Sequence, residues 1–395
     1  MKILIINHFP LQGSGSGVYV TNIAKSLVEL GHKVCIITPE NTSEFSNLKN
    51  VKLHPVFFKF KEEIVNQQEF NFPCFDSHPR SNLLFGNLTQ NQLVKYKEAF
   101  KQAIEEEIKV FEPDIIHSQH IWILSELALQ YNIPVVVTSH GSDIMGYEEW
   151  ETFREMMHRV VKGCKKIIAI SKDNQRIIEN YFEESKGKII TILNGYDKNN
   201  FHKKEYDKKE ILKEFNINKT YSKIVCFSGR LCRNKGVDLL LQAAKQYENE
   251  DVLTIIAGNG EEYNNLNQLK EKLGLKNVYF VGNQNSESLN KIYNISDVCV
   301  MPSRKEAFGL VAIEAMACGT PVVAIKQGGL PEIVKEDVGI LIDNEDVFKL
   351  QIAIKKVLNE EVKFDSNYIA EYAISKYSQE LYVEQLLTTY KSFLN

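Results

Sequence analysis

Short apolar runs rich in β-branched residues alternate with longer amphipathic stretches along the whole chain. Near the N-terminus KILIIN (from Lys2) is followed by VTNIAKSLVELGH (from Val20) and KVCIITPE (from Lys33), which reads as strand, helix, strand. A strand that is apolar at nearly every position is covered on both faces, so this pattern implies a parallel sheet between helical layers. The motif returns at Asp114–His117 (DIIH), Pro134–Ser139 (PVVVTS), Lys166–Ser171 (KIIAIS) and Lys188–Leu193 (KIITIL). Between the second and third strands of this series Leu93, Tyr96, Phe100, Ala103, Ile104, Ile108 and Phe111 recur at helical spacing.

A second series of strands starts near residue 222: KIVCFSG, VLTIIAG, NVYFVG, DVCVMPS, PVVAI and GILI, again separated by amphipathic helices. Two such series in 395 residues fit two cores better than one. Asp197–Thr220 is polar and charged, with few apolar anchors, and suits a connector. The expected boundaries are therefore 1–196 for a first doubly wound domain and 197–368 for a second. The segment 369–395 is a long amphipathic helical pattern in excess of what the second sheet needs, with a crossing back to the first domain as its expected course.

Composition changes this picture little. With 44% hydrophobic and 25% charged residues and no low-complexity segment, the chain is an ordinary folded protein. A net charge of −4 argues against a dedicated nucleic-acid binder, so any basic site must be local. The apolar run at the N-terminus ends in polar residues and lacks a small-residue cleavage site, so it reads as the first strand. No stretch approaches the roughly 18 apolar residues of a membrane span. The expected location is the cytoplasm, with peripheral contact at the inner face of the membrane as the open alternative. Seven cysteines (Cys35, Cys74, Cys164, Cys226, Cys232, Cys299, Cys318) are scattered without closely spaced pairs and read as reduced thiols. The aromatic stretch 55–75 suits a lid over an acceptor, a lipid contact or ordinary packing.

The strongest local signal is SGRLCRNKGVDLLLQAA, residues 228–244, where a strand runs through Arg230 and a loop with Lys235 and Gly236 into a helix. Two cations beside a helix N-terminus favour a diphosphate, and a solvated basic loop is the plain alternative. Glu306 and Glu314 in EAFGLVAIE lie on a loop and on the helix that follows, with backbone amides of Phe308, Gly309 and Leu310 between them. Carboxylates there would accept hydrogen bonds from sugar and ribose hydroxyls, or would serve only as helix-dipole partners. Gly13, Gly15 and Gly17 precede a helix expected to start near Val18 and would let backbone approach phosphates or an acceptor closely. They are not a dinucleotide fingerprint, because the third glycine of G-x-G-x-x-G would fall on Val18 or Val20. His140 leaves the C-terminal end of the strand VVVTSH, where ligands of α/β sheets bind. His117 and His120 have no third ligand at a plausible spacing, so no metal site is expected.

Together these segments resemble the family 4 retaining glycosyltransferases, of the two-domain GT-B fold. The resemblance rests on Ser228–Leu231, Lys235–Gly236, Glu306–Glu314, Cys318–Ala324 and Gly328–Glu332. It extends to the Gly-rich first loop, to Gly31–His32, and to the segments DIIH, HGSD and NGYD of the first half. It implies two Rossmann-like α/β domains facing across a cleft, the first on the acceptor side and the second binding the nucleotide sugar. Arg230 and Lys235 would hold the donor diphosphate, Glu314 the ribose, Glu306 the transferred sugar, and His140 would reach sugar hydroxyls or the reaction centre. Gly15, Gly17, Gly229 and Gly258 join the donor-binding set. The implied reaction moves a hexose-type sugar, with retention and without metal or cofactor, from a nucleotide-diphosphate sugar to a hydroxyl of a glycan, small molecule or lipid-linked acceptor. A UDP-sugar is the first expectation for the donor. A sugar-nucleotide epimerase of similar fold and a catalytically silent partner subunit are the rival readings.

Overall fold

The fully apolar runs become the inner strands of two sheets in the computed structural model, which describes residues 1–43, 48–59, 67–76 and 78–394. By their contacts the elements sort into two units, Met1–Asn194 with Gln379–Asn395, and Gly195–Ser378.

The first unit runs β1 (Lys2–Ile6), α1 (Gly15–Glu29), β2 (Lys33–Glu40), β3 (Lys52–Phe57), α2 (Gln90–Phe111), β4 (Ile115–Gln119), α3 (Ile123–Ala128), β5 (Val135–Ser139), α4 (Ser142–Glu149), α5 (Arg154–Gly163), β6 (Lys166–Ala169), α6 (Lys172–Tyr181) and β7 (Ile189–Thr191). Its sheet has seven parallel strands in the order β3-β2-β1-β4-β5-β6-β7. The order reverses between β1 and β4, and the crevice beyond their C-terminal ends is where such sheets take ligands. β3 escapes the apolar-run pattern because Lys52, His54 and Pro55 interrupt it. It is an edge strand, where one side needs no partner and a proline is tolerated.

The second unit runs α7 (Lys208–Glu214), β8 (Lys223–Ser228), α8 (Val237–Ala244), β9 (Val252–Ala257), α9 (Tyr263–Leu273), β10 (Val278–Gly282), α10 (Ser286–Ile295), β11 (Val298–Met301), α11 (Leu310–Ala317), β12 (Val322–Ile325), α12 (Leu330–Ile333), β13 (Gly339–Ile342), α13 (Val347–Leu358) and α14 (Ser366–Tyr377). Six parallel strands are ordered β10-β9-β8-β11-β12-β13, so the switch point lies between β8 and β11.

Two expectations are corrected. Asp197–Thr220 is not a loose connector: it contains α7 and buries Phe201, Ile211, Leu212 and Ile217. Few apolar residues suffice when each is inserted fully. The single helix read over 369–395 is two, broken at Ser378, which is extended. The strand-like contact between Tyr196 and Ser378 holds that break open. α14 packs on α11, whereas the last helix, α15 (Gln379–Lys391), belongs to the first unit, where it lies along α1. There Tyr382, Val383, Leu386 and Tyr390 are buried. Tyr382 shares a hydrogen bond with Tyr19, and Tyr390 meets His117 Nδ1 at 2.6 Å.

Of the three readings of the aromatic stretch, the described part fits packing. Phe58, Phe72 and Phe75 are buried in the core of the first unit with Phe85, Tyr96 and Trp122, which is packing. The middle of that stretch, 60–66, lies outside the described residues.

Leu386 is wholly buried beneath α1. Leu386→Ala should lower the stability of the first unit by about 2–5 kcal/mol, as cavity-forming substitutions in cores do. Both tryptophans, Trp122 and Trp150, lie in that unit, so denaturant unfolding followed by tryptophan fluorescence measures it directly.

Candidate functional site

At the switch point of the second unit the strand ends are drawn close together. Gly258, at φ 142°, sits so near Gly229 that a Cβ would come within 1.8 Å of the Gly229 carbonyl oxygen. Arg230 follows directly, and its Nε and Nη2 donate to one oxygen of Glu261 at 3.2 and 2.9 Å. The loop then passes through a short 3-10 turn, Arg233–Lys235, to Gly236. Gly236 has φ 65°, and a Cβ there would lie 2.0 Å from the Pro302 carbonyl oxygen, so the loop rests directly on the end of β11.

Lys235 Nζ donates to Glu306 Oε2 at 2.7 Å, and Ser303 Oγ donates to the same oxygen at 3.2 Å. Burial works against the ammonium charge of Lys235, but the attraction of Glu306 and their hydrogen bond outweigh it, and the pKa of Lys235 is raised. Arg304 organises the loop. Its Nη1 and Nη2 grip both carboxylate oxygens of Asp238 at 2.7 Å, Nε donates to Glu345 at 2.7 Å, and Nη1 also reaches the Arg233 carbonyl at 2.9 Å. The backbone N–H of Arg304 donates to the Asn234 carbonyl at 2.7 Å. Sequence reasoning passes over Arg304, because nothing in local spacing connects it to Asp238.

The helix termini differ in a way that matters for anions. α7, α10, α13 and α14 carry side-chain N-caps from Asp207, Asn285, Asp346 and Asp365. α8 and α11 start instead at left-handed glycines, Gly236 and Gly309, with no side-chain cap. Their first-turn N–H groups and positive dipole ends are left for an anion. Leu310 opens α11, and Phe308 turns its ring into the interior. Glu314 stands one turn further along α11. Burial lifts its carboxyl from an ordinary 4.5 to about 8, and the Tyr293 hydroxyl donates to it at 3.5 Å. The two acids of E-x7-E thus live differently, Glu306 in an ion pair and Glu314 desolvated.

In the first unit, α1 starts at Gly15 rather than near Val18. Ser14 is its N-cap, and its hydroxyl accepts from Gly17 N at 3.0 Å. A Cβ on Gly17 would lie 2.3 Å from the Pro10 carbonyl oxygen, so Gly17 is required by packing and its amide is already occupied. Gly15 faces open space.

His140 follows β5, with Nε2 2.9 Å from Gln119 Oε1 and its ring edge-on to Tyr19 at 4.9 Å. Burial depresses its pKa to about 3, so it is neutral at ordinary pH. Asp143 ties this corner together, accepting from Gly141 N at 2.9 Å, Ser139 Oγ at 3.1 Å and Ile121 N at 2.9 Å. Gln119 carried no sequence signal; Asp143 was visible only as part of HGSD. His117 and His120 do not act together: His117 is held between Thr138 and Tyr390. Among the described residues no cluster of three or more His, Cys, Asp or Glu side chains is placed to hold a metal.

Residues 13–200 match the family described as Glycosyltransferase Family 4, and residues 207–376 match Glycosyl transferases group 1. The D-inositol 3-phosphate glycosyltransferase of Corynebacterium urealyticum is 31% identical over 71% of this chain and 71% of its own length. Sucrose-phosphate synthase from Thermosynechococcus elongatus superposes with a TM-score of 0.80 at 21% identity, covering 100% of this chain and 99% of that one. HepE from Anabaena, solved in complex with UDP-glucose, gives a TM-score of 0.76 at 20% identity, covering 99% of this chain and 100% of its own.

The raised pKa of Glu314 has a thermodynamic consequence with a definite sign. Its contribution to stability is fully present below the unfolded value near 4.5 and is lost as pH rises through the folded value of about 8. The melting temperature of the wild type should therefore fall relative to that of Glu314→Gln across this window. Parallel pH-dependent melting curves of the two proteins that never diverge would contradict the desolvated carboxyl.

Proposed function

The chain belongs to the group 1 glycosyl transferases, and on that basis we propose that it transfers a hexose-type sugar from a nucleotide-diphosphate donor to an acceptor hydroxyl with retention of anomeric configuration. The observation that carries this reading is the set Arg230, Lys235 and Glu306 beside the uncapped start of α8, all at the switch point of the second unit. A diphosphate leaving group develops charge as the sugar bond breaks. Arg230, Lys235 and helix amides stabilise that charge without reorganising at the moment of reaction. Their carboxylate partners keep the two cations in place until the donor arrives. In this reading Glu306, freed from Lys235 by the diphosphate, accepts from hydroxyls of the transferred sugar, and Glu314 from the ribose. The positive charge comes from side chains, and no metal is required. UDP-glucose, the ligand of the HepE structure, is the first donor to test.

Arg230→Ala and Lys235→Ala should each slow transfer on the order of a hundredfold or more at saturating donor, with folding intact. Glu314→Gln should weaken UDP and UDP-sugar binding by similar factors, whereas Glu306→Gln should lower kcat and leave UDP affinity nearly unchanged. Calorimetry with UDP and initial rates of donor consumption separate the four variants. Near-normal turnover in both cation variants would refute the diphosphate assignment. Turnover should also persist in excess EDTA; complete loss restored by a divalent ion would overturn the metal-free reading.

A further inference from the structure

What His140 can do for a substrate depends on which ring nitrogen carries its proton, and its partner Gln119 decides that. An amide oxygen only accepts, so in the 2.9 Å contact between Gln119 Oε1 and His140 Nε2 the proton belongs to the histidine. A neutral imidazole carries one N–H, which leaves Nδ1 with a lone pair. Among the described residues nothing hydrogen-bonds Nδ1, and that atom is not among those sealed in the interior.

Gln119 is itself wholly buried, and its amide nitrogen has no hydrogen-bond partner. A buried NH2 without an acceptor is unfavourable, and an apolar side chain would fill the same space without that penalty. Turning the amide over would place its NH2 on His140 Nε2 and move the ring proton to Nδ1, so the orientation of Gln119 and the tautomer of His140 are set together. The ring is also packed against two others, Tyr19 nearly perpendicular to it at 4.9 Å and His120 tilted at 4.8 Å. The titratable groups around it come from three sides. Tyr19 on α1 bonds to Thr138 and Tyr382. His117 and His120 stand on and just beyond β4, both neutral through burial. Asp143 at the start of α4 is turned to Gly141 N, Ser139 and Ile121 N.

We propose that Gln119 is a positioning residue: it holds His140 as the Nε2–H tautomer, so that Nδ1 accepts a hydrogen bond donated by a substrate hydroxyl. The sugar or acceptor identity of that hydroxyl rests on the transferase reading above; the tautomer does not.

Selective isotope labelling of the nine histidines and nitrogen–proton correlation spectra test it, with the His140 signals identified by their loss in His140→Asn. The wild type should show an unprotonated Nδ1 and a protonated Nε2 from neutral to mildly acidic pH. Gln119→Leu should release the ring to a mixture of tautomers. Gln119→Glu, placing a carboxylate on Nε2–H, should bring His140 protonation up into the measurable pH range. In sugar transfer, Gln119→Leu should lower kcat by roughly an order of magnitude or more with donor KM and melting temperature retained. A wild-type proton on Nδ1, or a Gln119→Leu variant with the tautomer or kcat unchanged, overturns the proposal. Because the spectra need no substrate, failure of the tautomer is distinguishable from failure of the transferase reading, which would appear as no transfer by the wild type.

Discussion

In each sheet every strand runs parallel to its neighbours, and that arrangement dictates where polar chemistry can sit. A parallel sheet is sealed on both faces by its crossover helices, so a polar group along a strand must be paired internally, as His117 is, and charged groups have no room there. They collect where the strands stop. At the C-terminal edge the chain must leave the sheet and turn into a helix, which brings strand-end side chains and helix N-termini together. In the second unit that edge carries Arg230, Lys235, Glu306 and the uncapped starts of α8 and α11. In the first it carries Gln119 and His140, with Asp143 bracing the turn.

The charged groups of the second unit differ in how firmly they are held. Arg304 spreads its guanidinium over Asp238, Glu345 and the Arg233 carbonyl, a planar multidentate grip whose loss would leave several groups unpaired at once. Arg230 makes a more open pair with the half-exposed Glu261. Such a pair contributes only about 0–1 kcal/mol, so a doubly charged diphosphate can exchange with it readily. The same fold thus locks one arginine into the loop and leaves another in an open, exchangeable pair, and the distinction follows from geometry rather than residue type.

Much of the architecture was legible in the chain itself. Strands buried on both faces write themselves as unbroken apolar runs, and most of the inner strands were readable for that reason. β3 was not, because an edge strand is half solvated and its pattern mixes His54 and Pro55 with apolar residues. The break at Ser378 was equally hidden. Helical periodicity continues through it, and only the contact with Tyr196 and the burial of α15 elsewhere explain why the chain changes units there.

Local periodicity was enough to establish the class of fold, and the residue types placed at strand ends singled out candidate segments for its chemistry. They brought Arg230, Lys235, Glu306, Glu314 and His140 into view without saying what each would touch. The partners came only with the folded chain: Lys235 with Glu306, Arg304 with Asp238, His140 with Gln119. Folding also made Gly17 serve packing and a helix cap rather than an open amide, and left Glu314 desolvated while Glu306 is paired. Most of these contacts join residues far apart in the chain, and their energies depend on distance, burial and orientation, which come into being only when the strands are laid side by side.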